Sequence, residues 1–137
     1  MSSWKALGVT ARNGSLYDSA SEASVLLPVG HKGPAFLAYP NFKVYFEWNQ
    51  SLVYVTTAAY FATLLAGEPA YSVGNHDQGL DGFQMKVLQT KLVRLGHDVG
   101  KVDGILGSKT RAAVRAEQIK LGMPSDAWPT PDLLNRL

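Results

Sequence analysis

The sequence contains no cysteine. Disulfides and thiolate metal sites are thereby excluded, and the fold has to be held by apolar burial. Histidine is scarce too: His31, His76 and His97 fall in stretches read as loops or turns, far apart and without the spacing of a ligand set. No metal and no cofactor is expected. The opening residues Met1-Ser2-Ser3-Trp4-Lys5 lack the basic stretch followed by an apolar one that marks a secretory leader, so no signal peptide is visible. The longest uncharged run lies between Glu47 and Glu68. Asn49, Gln50, Ser51, Thr56, Thr57 and Thr63 interrupt it, which predicts a buried helix and no membrane span. There is no glycine-rich phosphate cradle, no Gly-x-Ser-x-Gly element and no repeat of solenoid length.

What is present is globular in composition: 46% hydrophobic and 18% charged residues in a chain of 137, enough for one ordinary domain or two small ones. The net charge of +2 hides an asymmetry. Residues 1–82 carry four Lys/Arg against six Asp/Glu, a net of −2; residues 83–137 carry nine against five, a net of +4. A basic second half suggests an anionic partner. Nucleic acid, anionic lipid and carboxylate-bearing cell wall all satisfy that condition.

The polar, glycine-containing stretch from Ser72 to Gly79 interrupts every periodic pattern and reads as part of a linker over residues 72–82. In residues 1–71, a turn is expected at Arg12-Asn13-Gly14-Ser15. The apolar segments Val25-Leu26-Leu27 and Ala35-Phe36-Leu37-Ala38-Tyr39 flank the turn-rich Pro28 to Pro34, which predicts a β-hairpin. Phe42, Tyr45 and Phe46 then open a helical pattern. Tyr54, Ala58, Phe61 and Leu65, with Val55, Ala59 and Ala62, form a helix apolar on nearly two faces, one that needs partners on both sides.

Residues 83–137 predict three short helices around one core. Phe83, Val87, Leu88, Leu92 and Leu95 give the first its apolar row, and Gly96 ends it. Four glycines, Gly96, Gly100, Gly104 and Gly107, punctuate a compact loop. Ser108 is the expected N-cap of a second helix carrying Ala112, Ala113, Ala116 and Ile119, ended by Gly122 before Pro124. Thr130-Pro131-Asp132 supplies a cap, a first-turn proline and a first-turn acid for the third, whose apolar face is Leu133, Leu134 and Leu137. The fold class expected is therefore mainly α: a three-helix bundle preceded by a small α+β fragment.

Residues able to carry chemistry are few. Asp98 and Asp103-Gly104 lack the alternating ligands of a calcium loop; Asp103 is expected to accept backbone N–H groups in a turn, with Gly104 supplying the backbone angle. Glu47 beside Trp48 is the carboxylate whose burial could create an acid, though a solvent-facing helix residue is the plainer reading. Tyr39, Tyr45, Trp48 and Tyr54, interleaved with Asn41, Asn49 and Ser51, offer rings for the C–H face of a sugar and amides and hydroxyls for its hydroxyl groups.

The second half resembles the peptidoglycan-binding domain found at the ends of many wall hydrolases. The residues that carry the resemblance are Val87 to Leu92, Leu95-Gly96, Val102-Asp103-Gly104-Ile105-Leu106-Gly107, Lys109 to Val114, and Gln118. It implies a three-helix bundle gripping peptidoglycan, with Arg94, Asp103, Gly104, Thr110, Arg111 and Trp128 as the wall-binding set and Lys101, Lys109 and Arg115 as further cations toward stem-peptide carboxylates. The family usually has an aromatic before the glutamine. Here that position is Glu117, turned to solvent or compensated by a neighbour such as Trp128.

The first half resembles the end of the catalytic domain of B-family lytic murein transglycosylases. Trp4 with Leu7-Gly8-Val9, Leu27-Pro28 with Gly30, Gly33 to Leu37, Asn41-Phe42, and Asn49-x-Ser51 with Tyr54 carry that resemblance over about residues 4–67. It implies glycan contacts at Trp48, Asn49, Ser51 and Tyr54, and a location in the periplasm or cell envelope. No position matches the family's catalytic glutamate, so no catalytic residue is assigned. The expectation is the C-terminal portion of a longer transglycosylase, inactive alone, with a catalytic part as a conceivable partner. The alternatives are an active enzyme using Glu47 and a nucleic-acid binder using the basic helix from Ser108 to Leu121. The expected organisation is thus 1–71 as transglycosylase fragment, 72–82 as linker and 83–137 as peptidoglycan-binding domain, with no nucleic acid bound.

Overall fold

The computed structural model describes residues 2–12, 16, 22–49 and 51–137. The turn expected at Asn13-Gly14-Ser15 lies outside them. The elements in chain order are α1 (Ser2–Ala6), β1 (Ser24–Leu26), β2 (Phe36–Ala38), α2 (Phe42–Trp48), α3 (Leu52–Leu65), α4 (Gly82–Arg94), α5 (Ser108–Lys120) and α6 (Pro131–Arg136). The mainly helical class with one hairpin is as the sequence predicts. β1 and β2 pair antiparallel with Val25 opposite Leu37, and the turn-rich Pro28–Pro34 joins them.

Local signals explain the helix ends. Asp81 caps α4 through a reciprocal arrangement: its carboxylate accepts from the Gln84 N–H, and the Gln84 side chain accepts from the Asp81 N–H. At its other end the Gly96 N–H donates to the Val93 carbonyl and the His97 N–H to that of Leu92, the paired bonds of a Schellman ending. α5 ends the same way, Gly122 to Ile119 and Met123 to Gln118. Thr130 caps α6 through its hydroxyl, with Pro131 in the first turn, as the sequence indicates. The start of α5 differs from expectation. Gly107 stands at the cap with no side-chain bond, and Ser108 is already helical.

The core of the second half consists of Met85, Leu88, Leu92, Val99, Ala113, Val114 and Leu133. On α4 the buried row is Met85, Leu88, Gln89 and Leu92, at helical spacing. Phe83 and Leu95, expected in that row, are exposed, as is Ile119 on α5. The reason is that the row is fixed by the partner helices, which select the face running through Met85. α5 buries Thr110, Arg111, Ala113, Val114, Glu117 and Gln118, a face unusually rich in polar groups.

In the first half Val55 is buried on α3, while Val53, Tyr54, Phe61 and Leu65 are exposed. The apolar excess of this helix is therefore only partly covered among the described residues. The segment 72–81 has no helix or strand but is tied at several points. Just before it the Tyr71 N–H donates to the Tyr60 hydroxyl, and within it Lys32 pairs with Asp77 at 2.8 Å and the Trp128 indole donates to the Asp77 carbonyl.

Candidate functional site

The Asp103-Gly104 loop of the bundle is organised from beneath by Gln89, fully buried on α4. Its Oε1 accepts from the Gly104 N–H at 2.9 Å; its Nε2 donates to the Ile105 carbonyl at 3.1 Å and to the Thr110 hydroxyl at 3.3 Å. Thr110 in turn donates to the Val99 carbonyl. One amide thus satisfies both edges of the loop, as a buried amide must. Asp103 accepts from the Ile105 N–H, which holds its carboxyl below the ordinary carboxylate range. Gly104 has φ +84°, and a Cβ there would lie 2.6 Å from the Gly82 carbonyl. Both conditions demand glycine. The loop surface leaves Val102, Asp103 and Ile105 exposed.

The six residues singled out in the bundle do not share one exposure. Arg94 and Asp103 are at the surface, and Gly104 is half-buried in the loop. Thr110 is wholly buried, bound to Gln89 and Val99. Arg111 is 9% exposed. Its Nη2 donates to the Pro28 carbonyl of the hairpin turn at 2.9 Å, and its guanidinium lies 5.9 Å from the Trp128 ring centre. Burial lowers the Arg111 pKa, and Asp126 partly offsets this. Of the other cations, Lys109 pairs with Asp98 at 2.6 Å, while Lys101 and Arg115 are exposed.

Trp128 joins the halves. A Cβ on Gly79 would come within 2.6 Å of its ring, and one on Gly30 within 3.0 Å of its Cβ, so both chain segments approach as closely as backbone allows. Beside it, Asp126 accepts from the His31 ring at 2.7 Å, from the His31 N–H, from the Trp128 N–H and from Gln118. Burial pushes the Asp126 carboxyl up, but these donors outweigh it and leave the pKa low.

Glu117, the position that departs from the resembled pattern, is buried, not turned to solvent. It pairs with Lys120 and His97; the Lys120 bond, followed by that of His97, keeps its carboxyl low against the opposing effect of burial. These pairs answer the open question at this position: partners on α5 and after α4 satisfy the carboxylate.

In the first half, Trp48, Asn49, Ser51 and Tyr54 meet at the α2–α3 corner. The Asn49 side chain accepts from the Ser51 N–H at 2.8 Å, and the Ser51 hydroxyl, capping α3, accepts from the Tyr54 N–H. The rings of Trp48 and Tyr54 stand 5.2 Å apart and both are exposed. Two rings open to solvent beside an amide are capable of stacking on a sugar. Glu47 is exposed, whereas a general acid is held in a shielded pocket beside a partner. Among the described residues no three His, Asp or Glu side chains cluster so as to hold a metal, and no helix is long and apolar enough to cross a membrane.

Gln89, His31–Asp126 and His97–Glu117 carry no assigned role in the sequence reading. Gln89 had a signal, a polar side chain at helical spacing from Leu88 and Leu92; the two histidine pairs, 95 and 20 residues apart, had none.

The described residues thus form a hairpin-and-helix unit joined to a three-helix bundle. Residues 1–63 match the family model described as "Transglycosylase SLT domain", and residues 82–137 match "Putative peptidoglycan binding domain". The chain therefore carries a transglycosylase-related segment followed by a domain of the peptidoglycan-binding type. The crystal structure of SltB3 from Pseudomonas aeruginosa in complex with NAG-anhNAM-pentapeptide is similar at 40% identity and a TM-score of 0.75, covering 98% of this chain and 37% of that one. The same protein in complex with NAG-NAM-pentapeptide is similar at 39% identity and a TM-score of 0.73, with the same coverage. The chain thus spans a little over a third of these relatives' length. No curated protein matches.

Proposed function

We propose that this chain binds peptidoglycan through its C-terminal bundle, within the cell envelope, as the wall-targeting portion of a lytic transglycosylase. The observation that carries the reading is the Gln89-clamped loop, which holds Asp103 and its neighbours outward on a segment matching peptidoglycan-binding domains. We assign 1–71 as the transglycosylase-related unit, 72–82 as the connection and 83–137 as the binding unit. Exposed Arg94 and Asp103 are the groups available for direct wall contact; Gly104 and Thr110 shape the loop, and Arg111 and Trp128 fix the bundle to the hairpin turn. The corner of Trp48, Asn49, Ser51 and Tyr54 supplies a second, glycan-stacking contact.

Lytic activity is not assigned to this chain, because Glu47, the candidate acid, is exposed. Incubation with purified sacculi tests the proposal. The chain is expected to co-sediment and to release no anhydromuropeptides. Failure to sediment at low salt would remove the binding reading, and product release would overturn the statement on activity.

A further inference from the structure

Three stretches far apart in sequence converge where the halves meet: the hairpin turn from Pro28 to Pro34, the connecting segment, and the turn Asp126-Ala127-Trp128 before α6. The connection touches both of the others. A Cβ on Gly74 would come within 2.7 Å of the Lys32 carbonyl, and one on Gly79 within 2.6 Å of the Trp128 ring. A cleft of about 490 Å³ between the halves, lined by Thr56 of α3 on one side and by Arg111 and Trp128 on the other, shares Trp128 with this meeting point.

The turn that carries Trp128 is strained. Ala127 has φ +60°, the one non-glycine residue with a positive φ among those described. An alanine at that angle is disfavoured and persists only where its surroundings hold it. Gln118, buried on α5, supplies that hold. Its Oε1 accepts from the Ala127 N–H at 2.9 Å, and its Nε2 donates to Asp126 Oδ1 at 2.9 Å and to the Trp128 carbonyl at 3.1 Å. Asp126, with its side chain 9% exposed, keeps Oδ2 for the hairpin turn, taking both the His31 N–H and the His31 ring. The Trp128 indole goes to the Asp77 carbonyl in the connection. Of the two charged contacts here, Lys32–Asp77 is open to solvent on both sides and contributes little. The bonds to the nearly buried Asp126 are the stronger ones.

We infer that the Asp126–Trp128 turn is a latch: closed, it fixes the bundle at one angle to the hairpin-and-helix unit, and released, it lets the folded bundle swing about the connecting segment. Relative motion is the default for units joined by a linker. The latch suspends it here, so that the exposed loop at Asp103 keeps a set direction relative to the first half for as long as His31 holds Asp126.

The test digests the full chain and the variants His31→Ala and Asp126→Asn with proteinase K under native conditions, with cut sites read by mass spectrometry. His31 is exposed and outside the bundle core, so its loss leaves that core untouched. Both variants are expected to be cut within residues 72–82 at least about tenfold faster than the parent, because bonds to a shielded carboxylate are lost and cleavage follows the open population. Residues 83–137 are expected to survive as a resistant fragment, and small-angle scattering to give a larger radius of gyration for the variants. A parent cut in the connection as fast as the variants would show halves that were never latched. Cleavage spread through the bundle in His31→Ala would make the contact part of the general fold. Either result overturns the inference.

Discussion

At Gln89 a single buried amide holds the loop that the bundle displays. Replacing it by alanine strands the Gly104 N–H and the Ile105 carbonyl and opens a void beside Thr110. Gln89→Ala is expected to destabilise the chain by about 3 kcal/mol, read from urea unfolding; an unchanged midpoint would remove Gln89 as the loop's anchor. Thr56 runs the opposite way. Its hydroxyl is buried and unpartnered, so Thr56→Val exchanges an unsatisfied polar group for a methyl of similar size. A gain of about 1 kcal/mol is expected, visible as a raised thermal midpoint, and a loss of that size would mean the hydroxyl has a partner in solution. The residue scale is also where sequence reading was least complete. Asp103 and Gly104 were read correctly, because a turn aspartate and a positive φ leave local signatures. Arg111 was read as a surface cation, because the Pro28 carbonyl that it donates to lies 83 residues away.

At the scale of elements, the loop between α4 and α5 sits directly on the start of α4. Gly104→Ala forces a Cβ into the Gly82 carbonyl at a positive φ. The expected cost is about 2 kcal/mol or more, measured by differential scanning calorimetry; a variant as stable as the parent would show that the contact is loose. α5 is tied to the end of α4 by Glu117, His97 and Lys120. The Glu117 pKa is lowered from its ordinary 4.5, so its ionised pairing contributes stability that is complete above that value. The contribution fades as pH falls through the lower folded-state pKa. Glu117→Gln is expected to be less stable near pH 7 and to show a shallower loss of stability below about pH 4.5 than the parent. Parallel acid-unfolding curves for the two would refute this. Helix ends were legible because capping acts over three or four residues, as at Thr130 and Gly96. Helix faces were not, and Phe83, Leu95 and Ile119 are outside the core for that reason.

For the whole molecule, the basic second half carries a net +4 against −2 in the first, and its exposed cations Arg94, Lys101 and Arg115 are on the surface. If wall carboxylates are among the contacts, retention on sacculi should fall several-fold between low salt and about 0.5 M, as exposed charge pairs are screened. Retention independent of salt would place the affinity in apolar and sugar-stacking contacts instead. The halves are joined by Arg111 to Pro28, His31 to Asp126 and the indole of Trp128 to Asp77, so the connecting segment is pinned and the cleft between the halves has a defined shape. Sequence alone determined the helical bundle, the hairpin and the helix ends at Gly96, Gly122 and Thr130, because these are written in spacing over a few residues, and its motif residues carried the likeness to wall-binding and transglycosylase families. Tertiary packing alone decided which faces are buried, that Thr110, Arg111 and Glu117 lie inside, and that Thr56 and Arg111 share one cleft. Burial depends on what arrives from elsewhere in the chain, and no local pattern encodes the arrival.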